Sequence, residues 1–282
     1  MHTLREIPDL RATLDHYRRH GQRIGLVPTM GNLHAGHLAL VAAARERSDV
    51  VVATIFVNPL QFGAGEDLAA YPRTLSDDQA QLEAAGCDLL FTPVADAVYP
   101  RPLDSQTRIR VPEVSEGLCG GSRPGHFDGV ATIVAMLFNL VQPDLACFGQ
   151  KDYQQLAVIR RLVADLHFPI EILGVPIVRA NDGLALSSRN GYLDAHQRAI
   201  APRLHSLLCE LCQRLEDGAD VDTTLTAGLA RLEEAGFVPD YLELRAEDLG
   251  PVTATTRDAI LLAAARLGTT RLIDNQALIL PR

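Results

Sequence analysis

Two histidines three residues apart, His34 and His37, lie in the segment Pro28-Thr29-Met30-Gly31-Asn32-Leu33-His34-Ala35-Gly36-His37. Spaced in this way they share one face wherever the first turn is helical. Gly31 and Gly36 let main chain approach a ligand closely, and a helix N-terminus adds unpaired N–H groups and a positive dipole end. Together these features suit a phosphate-like anion. The segment matches neither the G-x-G-x-x-G dinucleotide fingerprint nor the P-loop. Zinc is the competing chemistry for two close histidines, but no third ligand follows at a suitable spacing.

Three further segments carry chemistry of the same kind. Asn58 and Gln61, in Phe56-Val57-Asn58-Pro59-Leu60-Gln61-Phe62, offer amide donors and acceptors for hydroxyl and carboxylate groups. Taken alone, the same residues also read as a turn-forming Asn-Pro with a surface Gln. Gly149-Gln150-Lys151-Asp152 can set a lysine against phosphates and a carboxylate against a ribose hydroxyl. Ala185-Leu186-Ser187-Ser188-Arg189-Asn190 presents two hydroxyls and a guanidinium in succession, as polyphosphate binding requires, or as a turn or cap does. Asp77 and Asp78 read as helix-start carboxylates complementing the dipole, with magnesium as the alternative if a nucleotide is close.

The elements that must position these loops alternate between strand and helix. Arg23–Pro28 reads as a strand and Leu38–Arg47 as a helix; Asp49–Val57 is a β-branched run of the kind buried on both faces of a parallel sheet. A helix is predicted over Asp77–Ala85, a strand over Asp88–Thr92 and an apolar helix over Val130–Val141. A strand over Leu145–Phe148, a helix over Tyr153–Leu166 and a strand over Ile170–Val178 complete the pattern. The fold class is therefore α/β: a Rossmann-like doubly wound parallel sheet over residues 1–177, with ligands expected beyond the C-terminal strand ends. A smaller α+β C-terminal domain is predicted over 178–282. Its expected elements are one long helix over Asp194–Leu215, another over Asp222–Ala235, and strands at Tyr241–Ala246 and Ala259–Arg266. Cys209-x-x-Cys212 falls inside the first helical pattern with no second pair, so its ordinary reading is structural.

Composition bounds the function class. The 282 residues are 47% hydrophobic with a net charge of −9, which suits a globular chain and argues against a general nucleic-acid binder. No apolar run approaches the roughly 18 residues that span a bilayer, so no membrane partner is expected. The N-terminal segment mixes charges without an apolar signal stretch, and five cysteines without framework spacing fit a reducing compartment. A cytoplasmic protein is the expectation.

Taken in order, PTMGNLHAGH, FVNPLQF, YPRT, RPGHFDGV, FGQKDYQQL, DGLALSSRN and LIDNQAL resemble the pantoate–β-alanine ligase (pantothenate synthetase) family across essentially the whole chain. His34-Ala35-Gly36-His37 stands for the H-x-G-H signature of the wider nucleotidyltransferase superfamily, and Leu186-Ser187-Ser188-Arg189 for its mobile loop. The resemblance implies condensation of pantoate with β-alanine through a pantoyl-adenylate, releasing AMP and pyrophosphate. ATP, as substrate, would be held by Met30, Gly31, Asn32, Leu33, His34, Ala35, Gly36 and His37, by Gly149, Gln150, Lys151 and Asp152, and by Val178, Leu186, Ser187, Ser188 and Arg189. The catalytic residues would be His37, His34 and Lys151. Pantoate would be held by Gln61, Gln155 and Asn58, with Gln61 also meeting β-alanine. Asp77 and Asp78 would lie near magnesium, Arg123 in a gating segment, and the C-terminal domain would close over the ATP site. The resemblance also implies a homodimer, with Asp49–Val57 as one candidate apolar contact. Cys119 and Asp128 fall outside the positions that carry a role. The competing functions are another H-x-G-H nucleotidyltransferase, or a nucleotide-binding module without turnover.

Overall fold

A computed structural model describes residues 1–63, 66 and 68–281. In chain order its elements begin with β1 (His2–Leu4), α1 (Ile7–Arg19), β2 (Ile24–Thr29), α2 (Ala35–Arg45), β3 (Val50–Ile55), α3 (Leu75–Ala84) and β4 (Leu89–Phe91). They continue with α4 (Ala95–Val98), α5 (Leu118–Ser122), α6 (His126–Val141), β5 (Leu145–Gly149), α7 (Tyr153–Asp165) and β6 (Glu171–Val175). The last are α8 (Ala195–Ile200), α9 (Arg203–Glu216), α10 (Val221–Glu234), β7 (Val238–Ala246), β8 (Asp258–Leu267) and β9 (Thr270–Ile279). Among the described residues no helix is long and apolar enough to cross a membrane.

The chain forms two compact units. One comprises Met1–Ser115, Arg123–Gln150 and Val158–Pro176; the other comprises Glu116–Ser122, Lys151–Ala157 and Ile177–Arg282. The second unit thus draws in two segments that the sequence pattern assigns to the first, and one of them carries Lys151.

The first unit is built on a parallel sheet in the order β1-β4-β3-β2-β5-β6. Strand order reverses between β2 and β5, so the crevice for ligands opens beyond the carboxyl ends of these two strands. Val27, Val51, Ala53, Leu90 and Cys147 pack one face against Leu40, Val41 and Ala44 of α2 and Leu82 of α3. Leu26 and Val52 point the opposite way and are equally buried. α6, almost wholly apolar and buried along its length, packs against β2 and α1. β3 is a central strand, with Val50–Ala53 at 0–2% exposure. Val50–Thr54 therefore lie away from any surface, and of the apolar residues in the run Asp49–Val57 only Ile55 and Val57 are partly exposed.

Element boundaries differ from the sequence pattern where a cap, a left-handed glycine or a proline sets the end of an element. α2 begins at Ala35 rather than Leu38 because His34 caps it. α6 begins at His126, four residues before the apolar pattern, after Gly125 in the left-handed region. β6 stops at Val175 because Pro176 has no N–H to continue the ladder. The edge strand β1 and helix α1, absent from the sequence pattern, are short or polar; α1 buries only Leu10 and Leu14.

The second unit is an antiparallel sheet, β7-β8-β9, covered by α9 and α10. Leu204, Leu207, Leu208, Leu211 and Leu215 of α9 pack on Leu261, Ala263 and Ala265 of β8 and on Leu242 of β7. Cys212 joins this core whereas Cys209 is exposed. The single helix expected over Asp194–Leu215 is two helices, broken at Ala201-Pro202, since a proline ring has no N–H and crowds the preceding turn. β9 has no counterpart in the sequence pattern, because Asp274-Asn275-Gln276 interrupts its apolar alternation.

Candidate active site

The loop after β2 is organised by a buried carboxylate. Gly31 and Asn32 have φ of 83° and 52°, a left-handed pair that turns the chain sharply. The turn aims two consecutive N–H groups at Asp78, which is 1% exposed: Asn32 N donates to Oδ2 at 2.9 Å and Leu33 N to Oδ1 at 2.8 Å. Thr74 Oγ1 donates to the same Oδ2 at 3.2 Å. A Cβ at position 31 would lie 3.0 Å from that oxygen, so the close approach also calls for glycine.

His34 and His37 then close the loop onto α2. His34 Nδ1 accepts the N–H of Gly36 at 3.1 Å, and His37 Nδ1 accepts the N–H of His34 at 3.3 Å. The rings stand 4.1 Å apart between centroids. Because each Nδ1 accepts a main-chain hydrogen, each neutral ring carries its proton on Nε2. Both imidazoles are thereby set as Nε2–H donors at the positive end of α2, an arrangement suited to phosphate oxygens.

Beside this loop lies an amide pair. Asn58 is 1% exposed and its side chain is fully committed. Oδ1 accepts Leu60 N at 3.2 Å and Tyr99 Oη at 2.7 Å, while Nδ2 donates to Gln61 Oε1 and to Gly129 O, both at 3.1 Å. The resemblance puts Asn58 among the pantoate ligands; here it orients Gln61 instead. With Oε1 taken, Gln61 presents Nε2, which lies 2.8 Å from Met30 Sδ. Gly129 makes the fit possible, since a Cβ there would stand 2.2 Å from Leu60 O and 2.6 Å from Gln61 N.

The main chain at Gln61 is held from a second direction. His126 Nδ1 donates to Gln61 O at 2.8 Å, and its Nε2 accepts from Arg123 Nη1 at 2.9 Å. Arg123 can only donate, so it fixes this tautomer. Arg123 in turn pairs with both oxygens of Glu66 at 2.8 and 2.6 Å. The hydrogen bonds and charge of Arg123 hold the Glu66 carboxyl below its usual range, against a partial opposing effect of burial. Arg123, expected in a gating segment, is here part of the support for Gln61.

Gly149 and Gln150 belong to the first unit, and the second unit holds Lys151, Asp152, Gln155, Val178 and the Leu186–Arg189 segment. Lys151 is largely buried, with Nζ 3.9 Å from Asp152 Oδ2, and Asn275 Nδ2 donates to the Lys151 carbonyl at 3.0 Å. Gln154 is a buried clamp on the Glu116–Cys119 main chain, accepting from Cys119 N at 2.9 Å; its neighbour Gln155 is half-buried. Val178 O accepts from Leu186 N at 3.0 Å, closing a turn whose exit is the Ser187–Arg189 segment, and Ser187 Oγ caps the next turn by accepting Arg189 N at 3.3 Å. Arg179 lies in the same turn and makes a two-pronged pair with Asp274 at 2.6 and 2.9 Å.

A family model for pantoate–β-alanine ligase matches residues 2–277. The chain belongs to the pantoate–β-alanine ligase family. It is 65% identical to the pantothenate synthetase of Chromohalobacter salexigens over 100% of both chains. It is 60% identical to that of Pseudomonas aeruginosa over 98% of each. The crystal structure of pantothenate synthetase from Thermus thermophilus matches with a TM-score of 0.91 at 48% identity, covering 98% of this chain and 99% of that one. The pantoate–β-alanine ligase of Francisella tularensis, complexed with Beta-gamma ATP and β-alanine, matches with a TM-score of 0.82 at 31% identity, covering 98% and 97%. Identities at this level over whole chains make the protein a ligase of this family.

Within that ligase framework, a further expectation does not fit the residues. The resemblance puts Asp78 near magnesium, but its oxygens are engaged by two N–H groups and a hydroxyl, and it is buried. Asp77 is exposed on the first turn of α3. Among the described residues no group of three or more His, Cys, Asp or Glu side chains could hold a metal ion. The supporting residues Gly129, Asp274 and Asn275 carry no role in the sequence pattern. Their only sign there is membership of the RPGHFDGV and LIDNQAL segments.

Proposed function

We propose that this ligase condenses pantoate with β-alanine to pantothenate, converting ATP to AMP and pyrophosphate. In the first step a pantoate carboxylate oxygen attacks the α-phosphorus of ATP, the bond to the bridging oxygen breaks, and pyrophosphate leaves. In the second the β-alanine nitrogen attacks the acyl carbon, the acyl carbon–oxygen bond breaks, AMP leaves with that oxygen and its electron pair, and the amine proton passes to solvent. Two negative partners meet in the first step, so its barrier is lowered by fixed donors and cations rather than by covalent chemistry.

The observation that carries this reading is the pair of Nε2–H donors set by main-chain hydrogen bonds to His34 and His37. They suit charge growing on phosphate oxygens. Met30–His37, Gly149–Asp152, Val178 and Leu186–Arg189 are assigned to ATP, with Lys151 and Arg189 as its cations. Gln61 and Gln155 are assigned to pantoate, with Gln61 also meeting β-alanine, and Asn58 orients Gln61 without touching pantoate. The reading gives no magnesium ligand to Asp78, whose oxygens are spent on the loop, and leaves exposed Asp77 as the candidate carboxylate. It includes a cytoplasmic homodimer, for which sedimentation at the mass of one chain would be the contrary result.

Pantoate-dependent exchange of labelled pyrophosphate into ATP tests the reading. Exchange requiring pantoate is expected. Exchange that needs a different acceptor would point to another nucleotidyltransferase, and ATP binding without exchange to a module lacking turnover.

A further inference from the structure

We propose that Asp274 and Asn275, adjacent on β9, are positioning residues for the adenylation step. Asp274 fixes the turn that leads into Leu186–Arg189, and Asn275 fixes the main chain at Lys151. The inference rests on the reading above, in which these two segments act on ATP.

Successive residues of a strand project to opposite faces, so neighbours on β9 can hold two different segments at once. Asp274 is 4% exposed, and a carboxylate so placed is tolerable only when fully paired. Its pairing is specific. Oδ2 accepts Arg179 Nη1 at 2.6 Å, and Oδ1 accepts Arg179 Nη2 at 2.9 Å and Asn275 N at 2.8 Å. A two-pronged guanidinium–carboxylate pair fixes orientation as well as distance. Arg179 carries that orientation into the turn, since Nη1 also donates to Gly183 O at 3.2 Å and residue 179 bridges Ala185. The Leu186–Arg189 segment begins at the next residue.

Asn275 is 6% exposed and turns its amide the other way, donating Nδ2 to the carbonyl of Lys151 at 3.0 Å. That bond orients the peptide from which the lysine side chain departs. The strand itself is held in register on β8, with Asp274 opposite Ala263 and Asn275 opposite Leu262. The edge strand of this largely apolar sheet thus makes two polar contacts, each aimed at a segment assigned to the nucleotide. Core packing alone would not require Asp-Asn at these positions.

The test uses pyrophosphate exchange in the full-length protein, with thermal unfolding recorded for each variant. Asp274→Asn keeps size but removes the charge, and Arg179→Lys keeps a cation but loses the fork. Each should raise KM for ATP about ten- to a hundredfold, the range of one charged hydrogen-bonded contact, with KM for pantoate unchanged. Asn275→Asp keeps shape but sets an acceptor against the Lys151 carbonyl; it should lower kcat of exchange about tenfold or more with KM for pantoate again unchanged. The inference is overturned if Arg179→Lys keeps the wild-type KM for ATP and Asn275→Asp keeps the wild-type kcat of exchange. It is equally overturned if every kinetic parameter falls together in proportion to lost folded protein. Lys151→Ala and Arg189→Ala run in parallel separate the two levels. If they leave ATP use intact, the assignment of these segments to ATP fails and takes the inference with it. If they impair it while the Asp274, Arg179 and Asn275 variants do not, the positioning role alone falls.

Discussion

Asp78 Oδ2 accepts the main-chain N–H of Asn32 at 2.9 Å across 46 residues of sequence, and this one contact turns a helix-start carboxylate into the anchor of the loop after β2. The left-handed Asn32 and Gly31 are held in place by it, and the position of His34 follows from theirs. Asp78→Asn should therefore cost stability, because an amide nitrogen cannot accept the N–H group it would face. About 1.5–3 kcal/mol is expected for one lost charge-assisted bond in a buried setting. Adenylation should fall with it, and raising magnesium should not restore activity. Recovery at high magnesium would return Asp78 to the metal.

His37→Ala removes one of the two fixed Nε2–H donors. Loss of a single preorganised donor lowers the rate of charge-developing steps on the order of 10²–10³-fold. Single-turnover formation of pantoyl-adenylate should slow by that factor with little change in pantoate binding. Supplying preformed pantoyl-adenylate with β-alanine bypasses this step and should restore most pantothenate output. A variant that stays inactive with the intermediate supplied would place His37 in the second step too.

Gly129 sits where α6 passes the Leu60–Gln61 main chain. A methyl group there would stand 2.2 Å from a carbonyl oxygen, and neither helix backbone nor buried turn can yield cheaply. Gly129→Ala should lower stability by about 1–3 kcal/mol as overpacking does, and should raise KM for pantoate by displacing Gln61. KM for ATP should change less. Calorimetry and steady-state kinetics on the same preparation would check both halves.

The Glu66–Arg123 pair makes a signed prediction for pH. A carboxyl held below its usual value of 4.5 stabilises the folded state fully above that value and loses the contribution as pH falls through the lowered one. Wild type should therefore exceed Glu66→Gln in melting temperature near neutrality, and the difference should close as the solution becomes more acid than about 4.5. A difference independent of pH would mean that the pair contributes through shape rather than charge.

Much of the chemistry was legible in the residues themselves. Two histidines beside glycines after a strand, a lysine in a strand-end turn and a Ser-Ser-Arg run each state a local preference for phosphate. Alternating runs such as Val50–Ile55 state a preference for a buried parallel strand. These are properties of single residues and of short-range periodicity, which survive without any knowledge of neighbours. The supports were decided elsewhere. Nothing in the sequence distinguishes Asp77, exposed on α3, from Asp78, which the packing of α3 beside α2 buries under the Gly31–Leu33 turn. Asn58 and Gln61 look alike as amides until Gly129 and Tyr99 arrive to take up the first and leave the second presenting Nε2. Asp274 and Asn275 look like an interruption of an apolar strand, and only the fold gives them Arg179 and the Lys151 carbonyl. A buried polar group is defined by the partner that removes it from water, and that partner lies tens of residues away in the chain, so its role is fixed only when the tertiary structure brings the two together.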